Sequence, residues 1–200
     1  RDPDFRIRDN AGFKFSAFEK GKVQKVLQGV NEENRTFISY HSLGYTRWKP
    51  YIEDYKAYTQ TLTNFQSDLF VTAFSLHYID EFAWIYPDGQ IELDLIFNRD
   101  NEYIPAAFFA SVNNSYSIIT EIFLNGVKYF NRLEIKVEPN IHPHIQISHN
   151  ITQGLTEMTD LRSLIENGQI EENLTVAHNF NKDILRSILK KDVLDIIKLV

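Results

Sequence analysis

The stretch that decides the fold is YSIITEIFL-NG-VKYFNRLEIKV, residues 116–137. Apolar and polar residues alternate on both sides of Asn125-Gly126, which is the period of half-buried strands. Asn-Gly is the preferred pair for a two-residue hairpin turn, because both positions adopt positive φ. This turn predicts a register with one buried face, on which the cross-strand pairs are Leu124 with Val127, Ile122 with Tyr129, and Ile118 with Leu133.

Upstream of this hairpin, the sequence predicts a three-stranded antiparallel meander and then a helix. Strands over 12–18, 23–30 and 35–43 are separated by short polar turns, which favours antiparallel pairing of neighbours. Over 48–65, apolar residues recur at steps of three and four, the helical period. A long strand over 69–85 follows, with a turn at Pro87-Asp88-Gly89.

Downstream, apolar residues alternate over 91–97 and predict another strand, whereas Pro105 makes 103–112 an edge strand or a short helix. Further elements are a short strand over 145–152, a helix over 160–166 with Thr159 as a cap candidate, an amphipathic helix from Ala177, and a kink or second short helix over 193–199.

The predicted fold class is therefore α+β, with antiparallel sheets, one long central helix and a C-terminal amphipathic helix. Two β-meander-plus-helix halves are one arrangement of these elements. The boundary would then lie between 1–88 and 89–200; the alternative is one continuous domain.

Composition excludes several function classes. The chain has 200 residues, no Cys and a formal net charge of −6. The missing Cys removes disulfide scaffolds, thiol catalysis and Cys-containing zinc sites. The acidic balance argues against nucleic-acid binding, and no apolar stretch is long enough to span a membrane. Nucleotide-binding motifs are absent, so no cofactor is expected.

The expected location is cytoplasmic, and the start at Arg1 without Met predicts a processed piece that lacks its first segment.

Candidate acid–base residues lie on the strand over 69–85. Period two places Asp80 on an aromatic, buried face, where a carboxylate needs a partner or a raised pKa. His77 and Glu81 lie on the other face, about 13 Å apart along the strand, so each needs a cross-strand partner. The candidate catalytic residues are His77, Asp80 and Glu81, and the candidate binding residues are Tyr78, Phe82 and Trp48. A satisfied structural carboxylate is the alternative for Asp80.

Three histidines form a candidate metal site. His142 and His144 lie two apart in an extended segment and point to the same side, where His149 could complete a site. Pro143 disturbs that geometry, and His149 has the opposite parity to His144. Surface or loop histidines are the alternative interpretation.

The segment Val71–Phe82 resembles a strand motif of a sporadically distributed prokaryotic protein family whose activity is uncharacterised. In that family the strand runs Val-Thr, a Gly-Leu pair, Arg-Tyr-Ile-Asn and an aromatic; here His77 stands for Arg and Asp80 for Asn. The flanks also resemble it, with Tyr45 and Trp48 at the helix start and a C-terminal helix that carries His178. The patchy distribution of the family implies a mobile-element, toxin–antitoxin or phage-defence context.

These observations favour an interaction protein that engages a protein partner or a second copy of itself, in a defence or antitoxin-like module. The acidic chain suits a partner with a basic surface. One alternative is a metal-dependent or acid–base hydrolase that uses His77, Asp80 and the histidines of 142–149. Another is a small-ligand sensor with an aromatic pocket between sheet and helix.

Overall fold

Antiparallel sheets and helices build the chain, so the α+β prediction is confirmed. The structure is a computed structural model that describes residues 12–32, 35–66, 68–84, 91–111, 113–139 and 143–199. It divides into two units, Arg1–Leu62 and Thr63–Val200. The division falls at Leu62 rather than at residue 88, because the long fourth strand pairs with the last strand of the chain. The predicted turn at Pro87–Gly89 lies outside the described residues.

The N-terminal unit is the predicted meander with most of one helix. Its strands lie in the order β1-β2-β3 and pair antiparallel. Lys20 and Gly21 adopt positive φ in the first turn. The bounds are β1 Gly12–Glu19, β2 Lys22–Glu32, β3 Arg35–Ser42 and α1 Trp48–Phe65.

The C-terminal unit is organised by a four-stranded antiparallel sheet in the order β4-β7-β6-β5. Its strands are β4 Phe70–Ala83, β5 Asn114–Leu124, β6 Val127–Glu138 and β7 His144–Asp160. The Asn125-Gly126 turn has φ of 52° and 80°. The predicted hairpin register is confirmed, with Leu124 opposite Val127, Ile122 opposite Tyr129 and Ile118 opposite Leu133.

One face of this sheet is buried against helices. The described helices of the unit are α2 Leu93–Ile96, a 3₁₀ turn at Ala106–Ala110, α3 Leu161–Glu166, α4 Gln169–Ile188 and α5 Lys191–Ile196. The core joins β6 and β7 to the end of α4, and includes Leu133, Ile135, Ile147, Ile184 and Ile188, all fully buried. Each such side chain contributes about 2 kcal/mol. The opposite face of the sheet, which we call the open face, carries exposed or half-buried residues.

The predicted strand over 91–97 is wrong, because this segment forms α2 and a single bridge from Phe97 to Leu189. Ile91, Leu93, Ile96 and Phe97 are buried, whereas Leu95 is 47% exposed. The alternation breaks only at Leu95 and Ile96, because the helical turn from Leu93 buries Ile96 and leaves Leu95 exposed.

Other predicted bounds also shift. The strand predicted over 145–152 extends to Asp160, because β7 continues along β4 beyond the end of its pairing with β6. Asp160, not Thr159, caps α3, since its carboxylate accepts a hydrogen bond from the backbone N–H of Ser163 at 2.9 Å. The C-terminal helix begins at Gln169, after Gly168 at φ 74°.

Candidate functional site

The two faces of β4 separate the acid–base candidates. His77 and Glu81 lie on the open face, where His77 Nε2 is 2.8 Å from Ser148 Oγ and Glu81 accepts a hydrogen bond from Gln146 at 3.0 Å. Asp80 lies on the opposite face, with the half-buried Tyr78 and Phe82. The sheet therefore does not bring His77, Asp80 and Glu81 together, and no shared proton-transfer site follows from them.

Asp80 is half-buried on the helix-facing side of β4, and no hydrogen bond or ion pair joins its carboxylate to any described residue. Burial raises its pKa, because the charged form loses hydration without a compensating partner. β4 is an edge strand of the sheet. An inward-pointing charge on an edge strand opposes pairing with another chain, which gives this carboxylate a structural explanation.

A buried polar cluster lies between β6, β7 and α4. His149 is 1% exposed, with Nδ1 2.7 Å from Asn181 Oδ1 and Nε2 2.5 Å from Asn131 Oδ1. Asn131 in turn donates to Thr120 Oγ1 at 3.1 Å. Two acceptor oxygens favour a charged ring, but burial lowers the pKa of His149 to about 4. Burial is the larger effect, so the ring is neutral at pH 7 and donates to one oxygen at a time.

A second histidine extends this cluster toward the edge of the sheet. Tyr78 lies opposite His149 in the sheet register, and its hydroxyl is 2.7 Å from Nδ1 of His178 on α4. Burial, with Lys182 nearby, lowers the pKa of His178 to about 4. The Phe180 ring packs 6.0 Å from the His149 ring. We call Tyr78, Asn131, His149, His178 and Asn181 the polar cluster; its contacts join the helix to the sheet.

The candidate metal ligands do not converge among the described residues. His149 faces α4 with both ring nitrogens engaged by asparagines. His144 has the opposite parity, and its Nε2 is 3.9 Å from Glu138. His142 lies outside the described residues. Within the described ranges, no group of three or more His, Asp or Glu side chains could hold a metal ion.

The N-terminal unit has a shallow aromatic pocket of its own. It has a volume of about 270 Å³ and is lined by Phe15, Ser16, Ala17, Lys25, Leu27, Tyr40 and Tyr58. Two of these lining residues donate hydrogen bonds to the Asp54 carboxylate, Lys25 at 2.5 Å and Tyr40 at 2.8 Å. These bonds lower the pKa of Asp54, with the Lys25 bond the larger cause. Trp48 is not a lining residue; its ring stacks on Tyr51 at 5.5 Å between centroids.

The open face of the four-stranded sheet carries an apolar patch at the β5–β6 hairpin. Ile119 is 67% exposed, Phe123 70% and Phe130 45%. Phe130 lies opposite Glu121, so it is diagonal to both Ile119 and Phe123 and within reach of them. Glu121, which lies between Ile119 and Phe123 on β5, forms an ion pair with Lys128 at 2.8 Å. The Lys128 ammonium lies 5.1 Å from the Phe130 ring centroid. We call Ile119, Phe123 and Phe130 the apolar patch.

Comparison of the chain with protein-family models, with curated proteins and with solved structures found no match. Among the described helices, none has the length and apolar character needed to cross a membrane.

Sequence reasoning missed the asparagines of the polar cluster and the apolar patch. Nothing local marks Asn131 or Asn181, because their partners come from distant strands and a helix. The patch did have a signal. The predicted register buries Ile118 and Ile122, so it places Ile119, Phe123 and Phe130 on the opposite face.

Proposed function

We propose that this chain is a protein-binding module whose C-terminal unit engages a partner through the apolar patch. The observation that carries the proposal is the exposure of Ile119, Phe123 and Phe130 as neighbours on one sheet face. Single exposed apolar residues are common, but clustered ones rimmed by polar groups are typical of interfaces.

The composition of the patch suits recognition. Aromatic anchors dominate binding energy at the centre of interfaces, and a polar rim surrounds them. Here two Phe rings and Ile119 lie on a paired hairpin. The ion pair of Glu121 and Lys128 lies among them, with Glu121 opposite Phe130. The strands fix the backbone beneath the anchors, so little ordering entropy is lost on binding.

Charge indicates the kind of partner. Residues 63–200 contain 19 Asp and Glu against 10 Lys and Arg, a formal balance of −9. A field of this sign attracts a basic protein and raises its association rate. The proposed partner is therefore a protein with an apolar contact surface and a basic surround.

The experiment is site-specific photo-crosslinking followed by affinity measurement. A photoreactive amino acid at Phe130 is expected to capture a partner in cells, and the same group at Ile79, elsewhere on the open face, serves as the control. With the captured protein purified, calorimetry of Phe123→Ser/Phe130→Ser is expected to show at least tenfold weaker binding. Added salt should weaken binding of the unmodified chain. Unchanged affinity of the double variant contradicts the proposal.

The pocket of the N-terminal unit supports a second candidate function, small-ligand binding. Three aromatic residues, Phe15, Tyr40 and Tyr58, line about 270 Å³, which is close to the lower end of ligand-pocket volumes. We propose a planar apolar ligand for it. Screening aromatic fragments by amide chemical shifts should perturb β1, β3 and α1, and Leu27→Trp should abolish the shifts by filling the pocket. If no fragment changes the chemical shifts of these amides, small-ligand binding in this pocket is contradicted.

A further inference from the structure

The outer edge of β5 is an open template for strand pairing. β5 is the last strand in the order β4-β7-β6-β5. In a two-residue hairpin closed by Leu124 and Val127, the even residues of β5 bond to β6 and the odd residues point outward. Among the described residues, the β5 backbone bonds only to β6. Five residues therefore present free N–H and C=O groups: Ser115, Ser117, Ile119, Glu121 and Phe123.

The two edges of this sheet differ in how they are protected. β4 has a register irregularity between Val71 and Ala73 and carries the inward-facing Asp80, both of which oppose edge pairing. β5 is continuous over 11 residues and contains no Pro and no Lys. Its one charged residue is Glu121. Natural proteins block unwanted edges with such devices. Apart from the Glu121 carboxylate, β5 carries none of them, so its edge is left open to pairing.

We propose that two copies of the chain pair antiparallel through β5, about a twofold axis at Ile119. Ile119 is the midpoint of Asn114–Leu124 and of the five outward residues. Only this register lets all five residues of each copy pair, with about ten backbone hydrogen bonds. It joins the two sheets into one of eight strands.

The side chains fit this register. On the open face, Ile119 of one copy lies opposite Ile119 of the other. Across the same interface, Glu121 lies opposite Ser117, and Phe123 lies opposite Ser115. On the helix-facing side, Ile122 lies opposite Tyr116, an aromatic–aliphatic pair that stabilises sheets. No like charges oppose each other. A register centred on Glu121 would instead place two carboxylates together, which is unfavourable.

Size and charge define the character of the dimer. Pairing along one strand buries less surface than a permanent interface, so the association is reversible and weak. Each copy has a formal charge of −6, and the copies repel at long range. Salt screens this repulsion, so the dimer should tighten as salt rises, whereas binding of a basic partner should weaken.

The dimer goes beyond the proposed partner binding and does not depend on it. Edge pairing leaves the open face free, and the Ile119 contact makes the apolar patches of the two copies continuous. Phe130 lies on β6, away from the edge. Phe130→Ser therefore tests the patch alone, and Ser117→Pro, which removes one outward N–H, tests the edge alone.

The experiment uses single-cysteine variants, since the chain has no Cys. Under mild oxidation, Ile119→Cys should form a disulfide-linked dimer, because facing Cα atoms lie about 5.5 Å apart. Phe123→Cys should form no such disulfide, because the two copies of position 123 lie about 27 Å apart in this register. The Ser115→Cys/Phe123→Cys double variant should cross-link again. In sedimentation, the unmodified chain should show a concentration-dependent dimer that salt strengthens, and Ser117→Pro should shift it to monomer while Phe130→Ser does not.

Three outcomes would overturn the proposal. The first is a monomer at every concentration and salt. The second is cross-linking of Phe123→Cys as readily as Ile119→Cys. The third is a dimer that Ser117→Pro leaves intact. The first outcome does not depend on whether any variant folds, because sedimentation of the unmodified chain tests it directly.

Discussion

Tyr78 and His178 lie 100 positions apart in the chain, yet the Tyr78 hydroxyl is 2.7 Å from His178 Nδ1. Burial lowers the pKa of His178 to about 4, so at pH 7 the ring is neutral and Nδ1 can accept the hydroxyl proton. The contact ties β4, an edge strand, to α4. Within the polar cluster it is the contact nearest the sheet edge, and Tyr78 lies opposite His149 in the sheet register.

Tyr78→Phe should lower the free energy of unfolding by about 1 kcal/mol, since it removes the hydroxyl and leaves the half-buried imidazole without that donor. Urea unfolding at pH 7 measures the change. A double-mutant cycle with His178→Phe isolates the contact, and its coupling energy should be about 0.5–1.5 kcal/mol. Purely additive effects would show that the 2.7 Å contact contributes nothing.

Acid should destabilise the fold through His149. The pKa of His149 falls from 6.5 to about 4 on folding, so between these values the unfolded chain binds more protons and stability decreases as pH falls. His149→Gln removes this titration. The unfolding free energy of the wild type relative to that variant should drop by about 3 kcal/mol from pH 7.5 to 4, and urea titrations at several pH values measure it. A pH-independent difference would contradict a neutral buried ring.

Asp80→Asn should stabilise the protein, because the pKa of Asp80 is raised by burial. The Asp80 carboxyl binds its proton more tightly in the folded state than in the unfolded state. The free energy of unfolding therefore decreases as pH rises from the carboxyl's unfolded pKa through its raised folded pKa. At pH 7 the variant should gain about 1 kcal/mol over the wild type, and the gain should vanish near pH 3. Glu81→Gln, on the open face, is the control and should change stability little. Destabilisation by Asp80→Asn at pH 7 would show that the carboxylate has a favourable role.

Gly126→Ala should destabilise the β5–β6 hairpin by about 1 kcal/mol or more. A Cβ at Gly126 meets no atom within 4 Å, but the φ of 80° at this position strains any L side chain. Gly154→Ala is the matched control, since a Cβ there also has open space and its φ is not in the left-handed region. Thermal unfolding of both variants should show a lower midpoint for Gly126→Ala only. Equal midpoints would mean that the turn does not limit stability.

Local signals determined the parts of the fold that sequence could predict. Asn125-Gly126 fixes a turn conformation and hence the register of two strands, and the aromatic period over 48–65 fixes a helix. The segment 91–97 shows where prediction from local pattern fails. Its alternation matched a strand, whereas its conformation depends on contacts with distant residues such as Leu189.

The candidate site was predictable in part. The face on which Asp80 lies followed from period two, and it was placed correctly relative to His77 and Glu81. The partners of His149 were not predictable, because Asn131 and Asn181 become its neighbours only after β6, β7 and α4 have packed. The pairing of β4 with β7 was not predictable either, since no local residue pattern specifies which distant strand becomes a neighbour.

That pairing has a consequence for synthesis. Ala83 pairs with His144 and Phe70 with Asp160, so 61 to 90 positions separate β4 from its only neighbour in the sheet. At translation rates of about 5–20 residues per second, β4 waits several seconds without a partner, whereas β5, β6 and β7 form neighbouring hairpins as they emerge. The charge that Asp80 places on this strand disfavours its association with other chains during that interval.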